Sequence, residues 1–472
     1  MGESLDQFPS ALAVAAAIRT REVSPTEVLD ATIERIDRIN PALNAVIWRN
    51  DDDAHVNAKN LTEKIAKGKT DLPPFAGVPI PIKDLTPVAG WPVTYGSFGA
   101  PEGPSVEGEL VTEALRKAGF ILCGRTNTPE FGPLTVTENV RYGVTRNPWN
   151  TDLTPGGSSG GAGASVASGM FAVAHANDGG GSIRIPASCC GLVGLKPSRG
   201  RVPSRVPGWQ GMAIEGAVTR TVADTAAILD CISAPDPYAW YNAPVPKQSF
   251  ASYVDKEPKS LRVALMGTSG LGLTVEPGPL EAMNHAGQLL EKLGHKVTTL
   301  DTDLFDPEAL GPFLNVVNTG LGDYEHIEWA KTEAHNQAAL EAAKQIDSVT
   351  LVQSLTELQR ISRKVVARWG SEFDVLVTPT MTIEPPVAGT VLAEMQDNPT
   401  APSMTVVAMA AFTAVYNITG LPAINVPLHW SDAGIPIGVQ IVGGPWQDAL
   451  LIQVASQLEK MEPWAGRRPS SD

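Results

Sequence analysis

The chain has 472 residues, of which 43% are hydrophobic and 18% are charged, and its formal net charge is −15. This composition is typical of a folded globular enzyme and excludes a disordered or fibrous chain. The acidic charge argues against a nucleic-acid partner, because phosphate backbones require clustered lysine and arginine. No apolar run has the length of a membrane span, so we expect no membrane partner.

The four cysteines argue against a disulfide framework or a metal site. They are Cys123, Cys189, Cys190 and Cys231, and none of them forms a CxxC pair. We interpret them as buried core thiols of a reducing compartment, which favours the cytoplasm. The apolar run near the N-terminus lacks a preceding basic region and is therefore a poor secretory signal.

The N-terminal residues predict a helical hairpin. Residues 7–40 place apolar side chains at helical spacing, and Ser24-Pro25-Thr26-Glu27 has the pattern of an N-cap with Pro in the first turn of a second helix. We therefore predict the hairpin within residues 7–50. A polar segment over residues 50–72 follows it.

A lysine follows the next apolar run. Pro79-Ile80-Pro81-Ile82 predicts a short buried strand that delivers Lys83 inward. Buried lysines are rare unless they are paired or functional, so Lys83 is a candidate functional residue. The alternative is a surface lysine that pairs with Asp84.

Strand and helix patterns alternate through the rest of the chain, which favours an α/β fold with a largely buried sheet. Four prolines predict an irregular loop over residues 384–405. The predicted helices are 111–119, 277–293, 328–344 and 354–369. The predicted strands are 121–123, 261–267, 295–301, 373–379, 425–428 and 437–442.

Two glycine-serine clusters lie close together in residues 154–200. The first, Gly156–Gly161, contains Ser158 and Ser159, and the second is Asp178–Ser182. Glycine at this density indicates positive φ angles or close approach of another group to the main chain. We therefore predict an active site here, with a serine that needs a base to take its proton.

Histidine is poorly placed to be that base. His175 lies between the clusters and is assigned to packing, and the other histidines are scattered, so a Ser-His-Asp arrangement has no local support. The GxSxG pattern at 156–160 follows the turn Asp152–Pro155, whereas a nucleophile elbow follows a strand. A lysine that burial keeps neutral is the other option, and Lys83 suits it if a hydroxyl bridges it to the nucleophile.

Several motifs resemble the amidase signature family of serine hydrolases. They are Lys83, Gly157–Gly161 and Asp178–Arg184 followed by Pro186-Ala187, together with GRTNTPEFG, RNPWN, GLKPSRGRVP, VLVTPT, TGLPAINVP and GIPIGVQIVG. The resemblance covers nearly the whole chain. It implies one amidase domain over residues 1–472 with a central mixed, twisted β-sheet covered by helices on both faces. Residues 75–235 would be its signature core, and the helical and loop region 301–405 would shape the substrate pocket.

The resemblance also implies a role for each residue of the clusters. Ser182 would be the nucleophile, Ser158 the bridging serine on a cis peptide 24 residues earlier, and Lys83 the general base and then acid. Asp178 and Arg184 would form an ion pair that supports the nucleophile loop, as would Ser159. No metal or cofactor is implied. The oxyanion hole would consist of the N–H groups of Gly179, Gly180, Gly181 and Ser182.

One position departs from the family pattern. The common form has Thr-Asp-Thr before Gly-Gly-Ser, whereas this chain has Asn177-Asp178-Gly179. A glycine in the oxyanion loop predicts either a more mobile loop or room for a bulkier acyl group, and the sequence does not choose between them.

The resemblance implies hydrolysis of small amides or carbamates through an acyl-enzyme, by a monomer or homodimer. Nylon-oligomer hydrolases, aryl acylamidases and urethane-cleaving amidases are the most similar kinds, and some esters are also substrates in the family. One alternative is the glutaminase subunit of a tRNA-dependent amidotransferase, which usually has glutamine where this chain has Ile185. The other is a non-catalytic binding protein on this fold.

Segments outside the motifs are candidates for the pocket walls, because they combine apolar bulk with irregular, glycine-rich backbone. They are Thr86–Ala100, Val206–Glu215 and Phe313–Thr319. The candidate wall residues are Trp91, Tyr95, Trp209, Met212 and Phe313.

Overall fold

The computed structural model describes residues 10–304 and 306–470, so residues 7–9 of the predicted hairpin lie outside the described part. The hairpin consists of α1 (Ala11–Thr20) and α2 (Pro25–Leu43). Ser24 caps α2 by accepting from the N–H of Glu27, whose side chain in turn accepts from the N–H of Ser24. The predicted N-cap is therefore confirmed.

Two small sheets precede the central one in the described residues. Their strands are β1 (Val46–Arg49), β2 (Pro79–Lys83), β3 (Ile121–Thr126), β4 (Glu138–Asn139) and β5 (Gly143–Val144). One sheet has the strand order β1-β3-β2, with β1 antiparallel and β2 parallel to β3. The other pairs β4 with β5.

The central sheet has eight strands in the part of the chain that the structure describes. They are β6 (Val173–Asp178), β7 (Val193–Lys196), β8 (Ile214–Thr219), β9 (Arg262–Leu265), β10 (Lys296–Thr299), β11 (Val375–Pro379), β12 (Ala423–Trp430) and β13 (Pro436–Gly443). The order is β10-β9-β11-β13-β12-β7-β8-β6. The first three strands are mutually parallel and the remaining neighbours are antiparallel, so the sheet is mixed, as predicted.

The remaining helices follow in chain order. They are α3 (Asp51–Ala66), α4 (Leu110–Lys117), α5 (Gly160–Ala167), α6 (Arg184–Cys190), the single turn α7 (Gly208–Gly211), α8 (Val222–Ile232), α9 (Pro277–Lys292), α10 (Leu310–Thr319), α11 (Ala334–Ala343), α12 (Ser348–Val366), α13 (Thr390–Asp397), α14 (Met404–Ala410), α15 (Ala414–Thr419) and α16 (Asp448–Met461). None of the helices in the two described ranges combines the length and the apolarity that a bilayer crossing requires.

Helices cover both faces of the central sheet. Along β11, Val375 and Val377 pack into the core cluster that contains residues of α8, α9 and α16. Leu376, which points to the opposite face, packs with residues of α10, α12 and α15. The α/β fold with helices on both faces is therefore confirmed.

Several predicted boundaries were wrong. The polar segment 50–72 contains α3, whose apolar stripe is narrow because its buried residues are Ala54, Ala58 and Ile65. The irregular loop 384–405 contains α13. The predicted helix 328–344 starts later, as α11, after a 3₁₀ turn at Trp329–Lys331. The predicted helix 354–369 starts six residues earlier and ends three residues earlier, as α12 (Ser348–Val366).

Candidate active site

The end of β2 places Lys83 deep in the protein. Lys83 pairs with Thr126 of β3, and its side chain is fully buried. Asp84 instead accepts from the N–H and hydroxyl groups of Thr94 and lies 3.7 Å from the Nε atom of Arg125. The alternative of a surface lysine paired with Asp84 is therefore wrong.

The two clusters place their serines at helix N-termini. Ser158 follows a cis peptide bond with Gly157 and lies just before α5. Ser182 lies in the turn that joins β6 to α6. Both side chains are buried, with 2% of Ser158 and 8% of Ser182 exposed, so both hydroxyl groups are largely shielded from solvent.

A chain of short hydrogen bonds connects the lysine to the two serines. The Nζ atom of Lys83 is 2.7 Å from the Oγ atom of Ser158, which is 2.9 Å from the Oγ atom of Ser182. The structure thus brings together three side chains that are distant in sequence. The bridging hydroxyl is needed because Lys83 contacts Ser158 and not Ser182 in these hydrogen bonds.

Burial adjusts the charge state of Lys83. Desolvation lowers the pKa of its amine to about 7, while the negative charges of Glu215 and Asp178 act in the opposite direction. A neutral amine is therefore available near neutral pH. Its lone pair can accept a proton from Ser158, which an ordinary surface lysine could not do at this pH.

Asn177 also contacts the lysine, although sequence reasoning gave it no role. Its Oδ1 atom accepts a hydrogen bond of 2.7 Å from the Nζ atom of Lys83. An amide oxygen only accepts, so it fixes one N–H bond of the amine and leaves the rest of the nitrogen to face Ser158. The signal in the sequence was the departure from the family pattern at this position.

His175 is paired away from the serines. Its Nδ1 atom accepts a 3.4 Å hydrogen bond from the backbone N–H of Lys83, so the proton is on Nε2, 2.7 Å from Glu215. No hydrogen bond joins His175 to either serine in the described residues. Sequence reasoning included Glu215 only as the end of a candidate wall segment and missed its contact with His175. Glu215 lies on β8 beside β6 and lines the cavity.

Asp178 holds the turn that carries Ser182. Its carboxylate accepts hydrogen bonds from the N–H groups of Gly181 and Ile183 and from both Nε and Nη2 of Arg184. Burial raises the pKa of Asp178, but the neighbouring guanidinium outweighs this effect and holds the pKa below its usual range. Both side chains of the pair are fully buried, so the ion pair is an internal part of the loop that carries Ser182.

Arg184 joins this loop to the C-terminal part of the chain. Its Nη1 atom donates to the backbone oxygen of Thr413 at 2.9 Å and to Oε1 of Gln440 at 2.6 Å. Its Nη2 atom donates to Oδ1 of Asn417 at 2.6 Å, and Asn417 donates in turn to the Asp178 carboxylate. The charge is therefore satisfied by a closed network.

The backbone N–H groups of the glycine turn differ in their partners. The N–H of Gly181 donates to Oδ1 of Asp178 at 2.8 Å, so this predicted oxyanion donor is already in use. The N–H groups of Gly179, Gly180 and Ser182 have no hydrogen-bond acceptor within the described residues. Ser159 lies beside them and donates to the backbone oxygen of Asn177 at 3.2 Å.

A cavity of about 1100 Å³ opens onto Ser158 and Ser182. One wall is aromatic and consists of Tyr95, Phe131 and Tyr324, with the ring centroids of Tyr95 and Tyr324 4.9 Å apart. Trp209 forms another part of the lining. The cavity can therefore accommodate a substrate with an apolar or aromatic group.

The other predicted wall residues lie in the core. Trp91 is 2% exposed and packs against Trp48 with ring centroids 5.0 Å apart. Met212 and Phe313 belong to the core cluster on the α10 side of the central sheet. None of the three lines the cavity, and Phe313–Thr319 is part of α10 rather than irregular backbone.

The titratable side chains offer no cluster for a metal. Within residues 10–304 and 306–470, no group of three or more His, Cys, Asp or Glu side chains is arranged to hold an ion. All four cysteines are free, and burial raises the pKa of Cys123, Cys189 and Cys190. Their thiols are therefore protonated and are poor nucleophiles.

Comparison with known proteins identifies the family of the chain. The Amidase family model matches residues 27–319 and 318–452. A 6-aminohexanoate-cyclic-dimer hydrolase from Paenarthrobacter ureafaciens is 36% identical over 503 residues, covering 98% of this chain and 97% of that protein. An acylamidase from Rhodococcus erythropolis is 33% identical over 485 residues, with coverage of 98% and 97%.

A solved structure gives the same result for the fold. The structure of 6-aminohexanoate cyclic dimer hydrolase complexed with substrate is 34% identical, has a TM-score of 0.92 and covers 99% of each chain. The family match and both relatives extend along nearly the whole chain. The chain therefore belongs to the amidase signature family, and it is an amidase, an enzyme that hydrolyses the carbon–nitrogen bonds of amides.

Proposed function

We propose that Ser182 attacks the substrate carbonyl carbon while its proton passes through Ser158 to the neutral amine of Lys83. The observation that carries this proposal is the hydrogen-bonded chain Lys83–Ser158–Ser182. A serine is a weak nucleophile until a base removes its proton, and the buried amine supplies that base. Attack forms a bond between Oγ of Ser182 and the carbonyl carbon and places negative charge on the carbonyl oxygen.

The glycine turn would stabilise that oxygen. The N–H groups of Gly179, Gly180 and Ser182 are the donors that the structure leaves without acceptors, and the N–H of Gly181 would instead fix the turn through Asp178. Each donor aimed at the developing charge contributes about 10²-fold or more to the rate. The hydroxyl of Thr413 donates a 2.6 Å hydrogen bond to the backbone oxygen of Gly180, and this contact helps to fix the peptide that carries the N–H of Gly181.

The proton then returns to the leaving group. The Lys83 ammonium donates through Ser158 to the amine nitrogen as the carbon–nitrogen bond breaks, which leaves an acyl ester on Ser182. Water attacks this ester, and the same two side chains take its proton and return one to Ser182. For an amide the products are the free amine and a carboxylic acid. For a carbamate, departure of the amine leaves a carbonate ester on Ser182, and its hydrolysis gives a carbonic acid monoester that decomposes to the alcohol and carbon dioxide.

The substrate class that the cavity supports is a small amide or carbamate with an apolar group, including anilides and amide oligomers. The aromatic wall of Tyr95, Phe131 and Tyr324 supports this proposal. Gly320, Asp323 and Tyr324 also line the cavity, which supports a pocket-shaping role for region 301–405 within one amidase domain. The free thiols support a place of action in the reducing cytoplasm. A monomer or homodimer remains part of the proposal.

Two measurements on the purified protein test the proposed function. A fluorophosphonate probe followed by peptide mass spectrometry is expected to label Ser182, because the probe reacts with activated serines. A panel of anilides, alkyl amides, amide oligomers, carbamates and glutamine is expected to show hydrolysis of apolar amides. A folded protein that neither reacts with the probe nor hydrolyses the panel would be a binding protein, and hydrolysis of glutamine alone, dependent on added partner subunits, would identify an amidotransferase subunit.

The contact between Asn177 and Lys83 gives a test of the proposed base. Asn177→Asp places a carboxylate where an amide oxygen now lies 2.7 Å from Nζ, and an opposite charge at this distance raises the pKa of an amine by about one to three pH units. Lys83 is a base only when neutral, so activity falls below its pKa. We expect the acidic limb of the kcat/KM profile to move from near pH 7 to at least about pH 8.

The matched control is Asn57→Asp, which adds the same charge at an exposed site on α3. Its acidic limb is expected to remain near that of the unaltered enzyme. At pH 7 Asn177→Asp should therefore lose about tenfold in kcat/KM for each pH unit by which its acidic limb moves, and should recover at higher pH. A loss of activity that is the same at every pH would contradict Lys83 as the base.

A further inference from the structure

The indole ring of Trp209 lies directly on the oxyanion turn. A Cβ atom at Gly179 would be 2.5 Å from Cζ3 and 2.7 Å from Cε3 of this ring, closer than side chains can approach. At Gly320 a Cβ atom would be 2.6 Å from Cδ1 of the same ring. The indole is therefore held between two glycines, and neither position can carry a side chain while Trp209 keeps its place.

The surrounding residues hold Trp209 in this position. Its backbone and that of Gln210 are in the left-handed region, with φ angles of 49° and 55°. The guanidinium of Arg199 donates to the backbone oxygen of Gly211 at 2.8 Å, and the edge of the Phe313 ring packs at 6.3 Å between centroids. The ring thus belongs to a fixed wall of the cavity.

The same ring borders the space where the substrate carbonyl would lie. Gly179, Ser182, Trp209 and Gly320 all line the cavity. The N–H of Gly179 is one of the proposed oxyanion donors, so the group next to the reacting carbonyl must pass beside the indole. A β-branched residue at position 179, the common form in the family, would collide with the indole.

We propose that Gly179 and Trp209 are an interlocked pair that sets the size of the substrate group beside the reacting carbonyl. The proposal rests on the proposed role of Ser182 and adds a specificity determinant to it. The space that glycine opens in the oxyanion turn is occupied by the indole and does not enlarge the pocket. Narrow acyl groups therefore fit, and branched acyl groups meet the ring.

The first experiment changes the tryptophan. Trp209→Ala is expected to raise the ratio of kcat/KM for a branched anilide, pivalanilide, to that for acetanilide by about tenfold or more, the range that a few methylene groups of pocket space control. Trp209→Phe keeps an aromatic ring in the cavity wall but makes it smaller. It therefore tests the same effect if the alanine variant does not fold. An unchanged ratio in the folded variant would overturn the proposal.

The second experiment is a double-mutant cycle on the pair. Gly179→Ala is expected to lower kcat/KM for acetanilide by about tenfold or more, because the new methyl group displaces the turn or the ring. In the Trp209→Ala background the same change is expected to cost less than about threefold. Gly311→Ala is the matched control, since a Cβ atom there meets nothing within 4 Å. Equal costs in the two backgrounds would show that the residues are independent and would contradict the proposal.

Fluorophosphonate labelling separates this proposal from the proposed function. Suppose that Ser182 of the unaltered enzyme reacts with the probe and that the enzyme hydrolyses acetanilide. If the pivalanilide-to-acetanilide ratio is then unchanged in the Trp209 variant and the double-mutant cycle shows no coupling, the interlocked pair is wrong and the mechanism stands. If Ser182 does not react, the mechanism itself fails. Thermal unfolding of each variant, followed by circular dichroism, confirms that the comparison is between folded proteins.

Discussion

We expect Ser182→Ala to lower kcat for amide hydrolysis by about 10⁴-fold or more, because it removes the atom that would form the acyl-enzyme. The change is small for the fold, since it removes only the Oγ atom of Ser182 and its hydrogen bond with Ser158. Fluorophosphonate labelling should disappear in the same variant. KM should change little, since the cavity walls remain.

The control is another buried serine. Ser165→Ala removes a buried hydroxyl from α5, where it donates to the backbone oxygen of Ala162 at 2.8 Å. This variant should keep both labelling and activity within about tenfold of the unaltered enzyme. If Ser182→Ala retained more than about one hundredth of the activity, the nucleophile would have to be another residue.

The second large effect is expected at the lysine. Lys83→Met keeps most of the side-chain volume and removes the amine, so kcat should fall by about 10³-fold or more. The acidic limb of the pH profile should also disappear, since no group with a pKa near 7 would then contact Ser158. Lys83→Arg should not restore activity, because a guanidinium stays protonated and cannot accept a proton.

Lys196 provides a matched control for the Lys83→Met experiment. Lys196 is also fully buried, and burial, with the nearby charge of Arg184, lowers its pKa to about 7. Its Nζ atom donates to the backbone oxygen of Pro197 at 2.9 Å. Lys196→Met should therefore retain the acidic limb near pH 7. If the acidic limb disappeared in Lys196→Met and remained in Lys83→Met, Lys196 rather than Lys83 would be the base.

The sequence indicated the proton relay because its members lie in local patterns. Lys83 follows an apolar strand, and the two serines lie in glycine clusters whose spacing resembles that of the family. The structure places all three within hydrogen-bond distance. Their proximity and the lowered pKa of Lys83 together describe a relay that is able to move a proton.

The pocket walls were less predictable, because they depend on contacts between distant segments. Trp91 and Trp209 are both tryptophans in glycine-containing segments. Trp91 is drawn into the core by Trp48, 43 residues earlier, whereas Trp209 is held at the cavity by Gly179 and Gly320. Local composition carries no information about such partners, so it gave the two residues the same prediction.

The fold class was predictable, and the errors had local causes. Strongly apolar strands such as β11 and β13 were identified with small boundary errors. The segment Phe313–Thr319 was interpreted as irregular backbone, yet it belongs to α10, which begins with Leu310-Gly-Pro. Proline is tolerated in a first turn, where its missing N–H has no partner in any case. Helix α3 was missed because small alanines form most of its buried face.

The network around Arg184 has a consequence for the order in which the active site is completed during synthesis. Lys83, Ser158 and Ser182 all lie in the first half of the chain, but the guanidinium that fixes the nucleophile turn is bonded to Thr413, Asn417 and Gln440. A nascent chain that has not yet released Gln440 from the ribosome already contains Lys83, Ser158 and Ser182, but it still lacks this acceptor of Arg184. We therefore expect the hydrogen-bond network around Arg184 to be complete only when β13 has joined the central sheet.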